Sequence, residues 1–595
     1  MGIPRFFPFI KNNFPNNIIG VKKTDILQVN IDNFMIDLNG LFHTSTQKIY
    51  KYGNNKPQVR LLTKIISEHR SKTELIQEVC EDVCRNIEEL LNFTKPTKRL
   101  VLCVDGSAPQ SKQCQQRSRR FRSSLDRTDP NSFDGNCLSP GTEFMDYLNK
   151  YIDWYIKKCI SNNSLITNNW KNIEVVFSSE KVAGEGEQKI ISYIRDYGDM
   201  SESFCIHGMD ADIIMLSLAT HAPKIYILRQ DVYEDSDNDF FVIDIGTIRI
   251  ELKEMLRWIP ENSASASVNN FDETRVINDF VFICFTIGND FLPHIPSIEI
   301  IENGIEIIID VYKTVCASYG HITRTFNGNI VFSKQALKIF FGLIGNYEKR
   351  MLENKLKKKR FFFQDILLEE NSIFMCDGTY EVDIESYHID YYNNNFTPPS
   401  SLFPLGVAGL NRVTPDFICL KYLEGLQWIL SYYTKGVPDW NWYYPFHYAP
   451  FACDIATHLH LFKFTNFGVS VPIQPFQQLL SILPPSSSSL IPSPLCYLLT
   501  NESSPLKIFC PTKIEVDLSG KRKEYEGVVL LPFIDREILK NVYNENIFSV
   551  NEIDIKRNIF GNSYIYSYDE NEFTTVESCF GNILECKVKI NILEL

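Results

Sequence analysis

Residues 101–122 read VLCVDGSAPQSKQCQQRSRRFR. An apolar run ends in Asp105-Gly106, and a segment dense in Arg and Lys follows at once. Strand, acid, turn and helix in that order form the repeating unit of an α/β fold, where ligands gather beyond the carboxyl ends of the strands. Further strand-like runs lie at FMIDL (34–38), IEVVFSS (173–179), SFCIHGMD (203–210) and KIYILRQD (224–231). β-branched and aromatic residues recur in them, as in strands generally. Helical periodicity fills the gaps, as in ELIQEVCEDVCRNIEELLNF (74–93) and GEQKIISYIRDYG (186–198). We therefore predict an α/β protein with a mostly parallel central sheet flanked by helices.

A chain of 595 residues is long enough for roughly three to four domain-sized units. Its 44% hydrophobic and 22% charged content fits a soluble globular protein. No apolar run reaches the roughly 18 residues of a membrane helix, and MGIPRFFPFIKNNF lacks the long apolar core of a signal peptide. The net charge of -13 argues against a nonspecific polyanion binder, yet leaves room for a local basic strip. The 16 cysteines show no CxxC pair and read as reduced and mostly buried. Cys80 and Cys84 could share a helical face, but no second pair of ligands stands near them in the sequence.

Polar breaks divide the later chain. ENSASASVNN (261–270) reads as a surface loop, NNNFTPPSS (393–401) as a linker and ILPPSSSSLIPSP (482–494) as a Pro/Ser-rich crossing. The stretch 415–460 is helical and aromatic, and short strand patterns resume after 505. The expected division is 1–345 for the first domain, 346–414 for a variable linker segment, 415–545 for a second helical or mixed region and 546–595 for a C-terminal segment.

The acids fall at strand ends. They are Asp37 in DLNG, Asp105 in VDGSAP, Glu185 and Glu187 in AGEGEQKI, and Asp210 and Asp212 in GMDAD; Asp290 in TIGNDFLPH follows an apolar helix-like run. A single Asp at a strand end is ordinarily a helix cap or turn former. Independent caps have no reason to recur at one end of successive strands. If the strands are parallel, these carboxylates converge on one rim, where like charge and burial penalise ionisation. Divalent ions relieve that penalty, and oxygen donors suit Mg²⁺ or Mn²⁺. Two such ions about 4 Å apart can stabilise the attacking and leaving oxygens of a phosphodiester.

After Pro109, residues Lys112, Gln116, Arg119 and Arg120 fall at i, i+4, i+7 and i+8, on one helical face. Such a face beside a metal rim suits a terminal phosphate. Arg117 and Arg122 point elsewhere and read as solvated.

MGIPRFFPFI, IDLNGLFH, VDGSAPQSKQCQQRSRRFR, FDGNCLSPGTEFM, AGEGEQKI, HGMDADIIML and TIGNDFLPHIP, in this order, resemble the first conserved region of XRN-type 5′-to-3′ exoribonucleases. YLEGLQWILSYYTKGVPDWNWYYPFHYAPF (422–451), IQPFQQLLSILPPSSSSLIP and the stretch 502–535 resemble the second. The resemblance covers most of the chain, without the long C-terminal extensions of larger members. It implies a core of the PIN/flap-nuclease type, with the second region wrapping the active site. It also implies a processive, Mg²⁺-dependent enzyme that degrades single-stranded RNA bearing a 5′-monophosphate to nucleoside 5′-monophosphates. The family's acidic cluster falls on the seven acids above and its 5′-phosphate pocket on Lys112, Gln116, Arg119 and Arg120. The family stacks the first base between a His and an aromatic residue. His43 matches the former, and either Trp440 or Trp442 matches the latter.

Three rivals stand beside that reading: a flap-type DNA endonuclease, an inactive RNA-binding scaffold and a metal-dependent phosphatase. A monomer is expected, with no membrane partner. No motif encodes the compartment or a protein partner. LKKKR (356–360) reads as a solvated loop, which favours a cytoplasmic over a nuclear location.

Overall fold

Phe34, Met35 and Ile36 have no solvent-exposed surface, the mark of a strand covered on both faces. The computed structural model describes residues 6–53, 71–125, 127, 132–162, 170–231, 238–258, 271–298, 304–358, 362–396 and 413–594. Its main sheet is built of β1 (Ile18–Val21), β2 (Asn33–Asp37), β3 (Arg99–Cys103), β4 (Glu174–Ser178), β5 (Phe204–His207), β6 (Ile225–Gln230), β7 (Phe240–Asp244), β8 (Ser563–Tyr568) and β9 (Val588–Leu593). Their spatial order is β1-β7-β6-β5-β2-β3-β4-β8-β9. The five strands expected from sequence form the centre, β6-β5-β2-β3-β4, and all run parallel. Four further strands extend the edges in antiparallel fashion.

Alternation along each central strand builds two cores. Met35, Val101, Val176 and Ile206 point into one apolar cluster. Phe34, Ile36, Leu100, Leu102, Val175 and Phe177 point into the other. Side chains of neighbouring strand residues face opposite ways, so one run of apolar sequence feeds both layers.

Parallel pairing requires crossovers, here mostly helical. After the short N-terminal helix α1 (Phe6–Asn13), α2 (Leu38–Tyr50) and α3 (Lys72–Thr94) join β2 to β3. α4 (Gln110–Leu125) and α5 (Glu143–Asn162) join β3 to β4, α6 (Gly186–Tyr197) joins β4 to β5, and α7 (Asp212–Ala219) joins β5 to β6. Ser71 and Glu74 form a capping box at the start of α3, which fixes where that helix begins. From β2 the chain steps to β3 on one side, and β5 returns to the other side of β2. The crevice between β2 and β5 is therefore the topological switch point, the usual ligand position of such sheets.

The second region packs over this rim. α8 (Glu273–Cys284) leads to the Asp290 loop, and α9 (Pro415–Thr434) buries Tyr422, Trp428, Tyr432 and Tyr433. The helix Pro475–Ile482 lies against α4. Residues 563–593, left above as part of a C-terminal segment, supply β8 and β9 beside β4. The Pro/Ser stretch is a packed turn, with Ser487 buried and accepting a bond from Asn136 at 3.0 Å. The loop expected at 261–270 lies outside the described residues, as do 397–401 of the linker and the end of LKKKR.

Candidate metal centre

Two glycine-bearing loops are stitched together at the rim. Gly106 N–H donates to the Gly184 carbonyl and Gly184 N–H to the Ser107 carbonyl, both at 2.8 Å. Gly106 has no room for a side chain, since the Val182 carbonyl fills that space. This pairing sets the Asp105 loop beside the Glu185 loop. Gly186 N–H donates to Asp105 Oδ1 at 2.7 Å. A Cβ on Gly186 would stand 2.5 Å from Asp37 Oδ1 and 3.5 Å from Asp105 Oδ1. Asp37 also caps α2, accepting from Asn39 N–H at 3.2 Å, and Asn39 Oδ1 accepts from Asp105 N–H at 3.3 Å. The bland reading of Asp37 as a cap and its place in the cluster are thus both true. Glu185 stands at the N-cap position of α6 without making a side-chain cap bond.

The structure gathers the seven acids. Burial first, then Asp105, Asp210 and Glu185, push the Asp37 carboxyl far above its usual range. Burial, then Asp210, Asp37 and Asp212, do the same to Glu187. Asp212 is pushed up to about 7 by burial and then by Asp290, and burial raises Glu185. Burial would also raise Asp290, but Lys112 outweighs it and holds the carboxyl well below its usual range.

Lys112 is the hinge between the acids and the basic face. Its ammonium donates to Asp290 Oδ2 at 2.7 Å and is ion-paired with Glu185. Burial disfavours its charge, yet the two carboxylates overcome that and raise its pKa well above the usual value. Gln116 is buried, and its Oε1 has no hydrogen-bond partner among the described residues. Arg119 is exposed. Arg120 is buried and donates to Asn136 Oδ1 at 3.3 Å; burial and then Arg119 lower its pKa to about 9. The predicted face does turn toward the rim. Arg117 and Arg122 correct the reading as solvated. Arg117 donates to the Ser481 carbonyl at 2.9 Å and to the Phe509 carbonyl. Arg122 donates to the Gly527 carbonyl at 3.2 Å and to the Glu524 carbonyl. The opposite face of α4 is therefore bolted to the second region.

His43, on α2, is exposed to solvent. Desolvation there, then Arg119 and Arg120, push its imidazole down to about 4, so it is neutral at pH 7. Trp442 is 7% exposed and stacks on Trp428 at 5.1 Å and 22°, which makes it a core aromatic. Trp440 retains part of its surface. Its carbonyl accepts from Gln110 N–H at 2.9 Å, which seats the DWNW loop on the first turn of α4, two residues from Lys112.

Three contributors escaped the sequence reading. Tyr432 donates its hydroxyl to Glu185 Oε1, and Tyr433 is buried where Asp212 and Asp290 act on it. Both lie in an aromatic helix, where a hydroxyl is easily taken for core. Lys189 Nζ donates to the Val104 carbonyl at 2.7 Å and the Ser179 carbonyl at 2.9 Å, and burial lowers its pKa to about 8. A lysine among the buried positions of α6 was the signal.

The seven acids offer oxygen donors alone, with no sulfur or imidazole among them, and several hold surplus protons that an ion can displace. Fold and site together define an α/β protein whose carboxylate cluster fits hard divalent ions. The model described as "XRN 5'-3' exonuclease N-terminus" matches residues 1–231, and that described as "Xrn1 helical domain" matches 270–375 and 391–593. The chain belongs to this family. Among curated relatives, 5'-3' exoribonuclease 1 of Homo sapiens is 29% identical, covering 96% of this chain and 35% of its own length. The Schizosaccharomyces pombe 5'-3' exoribonuclease 1 is 27% identical, covering 96% and 50%. The Drosophila melanogaster 5'-3' exoribonuclease 2 homolog is 26% identical, covering 95% and 73%. The chain thus spans half or less of the first two relatives it matches. A solved catalytic core of Rad2 in complex with DNA substrate covers 72% of this chain and 95% of its own, at 14% identity and a TM-score of 0.31, too loose a likeness to carry an argument.

Proposed function

We propose that this chain is a processive 5′-to-3′ exoribonuclease that hydrolyses 5′-monophosphorylated single-stranded RNA to nucleoside 5′-monophosphates. One observation carries the reading: Lys112 of the basic face bonds to Asp290 and Glu185 of the acidic rim. A terminal phosphate on that face would therefore set the next phosphodiester against the carboxylates. Family membership supports the same activity.

Asp37, Asp105, Glu185, Glu187, Asp210, Asp212 and Asp290 would hold two Mg²⁺ ions, with Mn²⁺ an acceptable substitute. When bound, such ions activate water and neutralise charge on the leaving oxygen. Lys112, Gln116, Arg119 and Arg120 bind the 5′-phosphate, Gln116 through its side-chain amide. Neutral His43 and Trp440 hold the first base between them. Stacking of this kind ignores sequence and is worth ~1–3 kcal/mol per base. Trp442 is already stacked on Trp428 in the core and leaves the base to Trp440. After each cut the new 5′-phosphate refills the same pocket, so the chain moves along one strand without release.

The test feeds the enzyme three substrates with Mg²⁺ present or chelated. These are a 5′-monophosphate RNA, its 5′-hydroxyl form and a flapped DNA. Release of mononucleotides from the first alone, and only with Mg²⁺, is expected. Preferred cutting of the flap, or full activity in Asp210→Asn, would overturn the proposal.

A further inference from the structure

Away from the carboxylate rim, three helices bring a different set of donors together. Glu348 opens the helix Glu348–Lys357, His388 lies within the helix Ile384–Asn395, and Cys453 and Asp454 sit in the first turn of the helix Ala452–His458. One ligand atom from each of Glu348, His388 and Cys453 lies within 4.8 Å of the others. His388 Nδ1 is 4.0 Å from Cys453 Sγ and 3.9 Å from Asp454 Oδ2.

The imidazole-to-Asp454 spacing is too long for a direct bond, since N–H···O bonds span about 2.7–3.2 Å. Two donors on one tetrahedral zinc, with Zn–S and Zn–N near 2.3 and 2.0 Å, stand ~3.6 Å apart. The donors here are closer to that spacing. The His388 ring is held flat on Phe451 at 3.8 Å and 20° with Nδ1 toward Cys453 and Asp454; Nε2, the other ring nitrogen, is buried with no hydrogen-bond partner among the described residues. Tyr392 O–H fixes Asp454 Oδ2 at 2.7 Å. Ala452 N–H fixes Glu348 Oε1 at 2.7 Å. Outer bonds of this kind orient ligands in metal centres. The ordinary explanation is that Glu348 caps the helix Ala452–His458. That accounts for both of its oxygens, since Cys453 N–H also donates to Oε2 at 3.4 Å, and the thiol hydrogen-bonds to the same carboxylate; the imidazole beside them is no part of that cap.

We propose that Glu348, His388 and Cys453, with Asp454 beside the imidazole, form a separate metal centre for zinc or a similar borderline-soft divalent ion. Sulfur and imidazole donors select against Mg²⁺, so the two centres differ in ion. Binding releases the Cys453 thiol proton. Three protein donors leave the fourth tetrahedral position to water. The ion would pin the segment 384–395 to the second region.

The test uses the full chain purified without chelator. Elemental analysis should find about one zinc per chain, the occupancy of one filled centre. After zinc removal, Co²⁺ should give a thiolate-to-metal absorption band that survives Cys376→Ser and vanishes in Cys453→Ser. The band separates this centre from ions held by the seven rim carboxylates, which are oxygen donors only. His388→Ala, at a partly exposed position, should lose zinc while keeping its circular dichroism. A wild-type chain with no stoichiometric zinc and no thiolate band overturns the proposal, and needs no variant to do so. A band that persists in Cys453→Ser overturns it as well.

Discussion

Tyr432 and Glu185 stand 247 residues apart in the chain, and the tyrosine hydroxyl donates to the glutamate carboxylate in a buried bond. An acid supplied by the central sheet is thereby held by a helix of the second region. The rim is complete only where both are present.

Tyr432→Phe removes that donor and leaves the ring in place. Hydrogen bonds to charged groups contribute about 1.5–3 kcal/mol, so kcat should fall roughly 10- to 100-fold. KM for a 5′-monophosphate RNA should change little, because Tyr432 does not lie on the basic face. Unaltered single-turnover rates would show that Glu185 is positioned without it.

Arg119→Ala tests the link between the phosphate face and His43. Desolvation, Arg119 and Arg120 together press the imidazole down to about 4. With Arg119 gone, the His43 titration followed by NMR should move upward. KM should rise for the 5′-monophosphate substrate and stay level for the 5′-hydroxyl one. A titration that does not move would separate His43 from this face.

Asp212→Asn should stabilise the chelator-treated protein while abolishing activity. Asp212 is raised from 3.8 to about 7 in the fold, so folding takes up a proton at this site. Its favourable contribution is full below pH 4 and is lost as pH climbs through about 7. The variant carries no such loss. Its melting temperature in chelator should exceed the wild-type value above pH 7, and the gap should close toward pH 4. Equal melting temperatures at pH 8 would contradict the assigned shift. Mg²⁺ should narrow the gap by stabilising the wild-type rim.

Trp440→Ala and Trp442→Ala should part company. Loss of the buried Trp442 costs about 3–5 kcal/mol of stability, as large aromatic truncations do. Loss of Trp440 should leave melting nearly unchanged and weaken RNA binding, by ~1–3 kcal/mol for one stacked base. Paired thermal melts and KM values decide this.

Gly186→Ala adds one methyl group 2.5 Å from Asp37 Oδ1. Activity should collapse while the far-ultraviolet spectrum persists. Retained activity would mean that Asp37 can step aside without cost to the reaction.

The centre of the fold was legible because each of its strands is an apolar run closed by an acid or followed by an acid-bearing loop, a pattern that both burial and chemistry impose. Six of the seven rim acids lie in such places; Asp290 follows a helix instead. The edge strands were harder to see. β8 (SYIYSY) pairs with β4, and no local signal names so distant a partner. The fate of Arg117 was equally hidden, since helical periodicity says which residues share a face and not whether that face meets water or protein. Trp440 and Trp442 alternate in one short loop, and only packing on Trp428 separates them. The donors at Glu348, His388 and Cys453 are scattered over more than a hundred residues and carry no spacing signature.

Ser178 of β4 and Ser563 of β8 are hydrogen-bonded across 385 residues. At ribosomal speeds of ~5–20 residues per second, the flank of β4 waits roughly 20–80 s for its neighbour. An open strand edge invites pairing with other chains in that interval. Biosynthesis of this molecule therefore includes a vulnerable window, and slow codons or chaperone shortage downstream of β4 would be felt as aggregation.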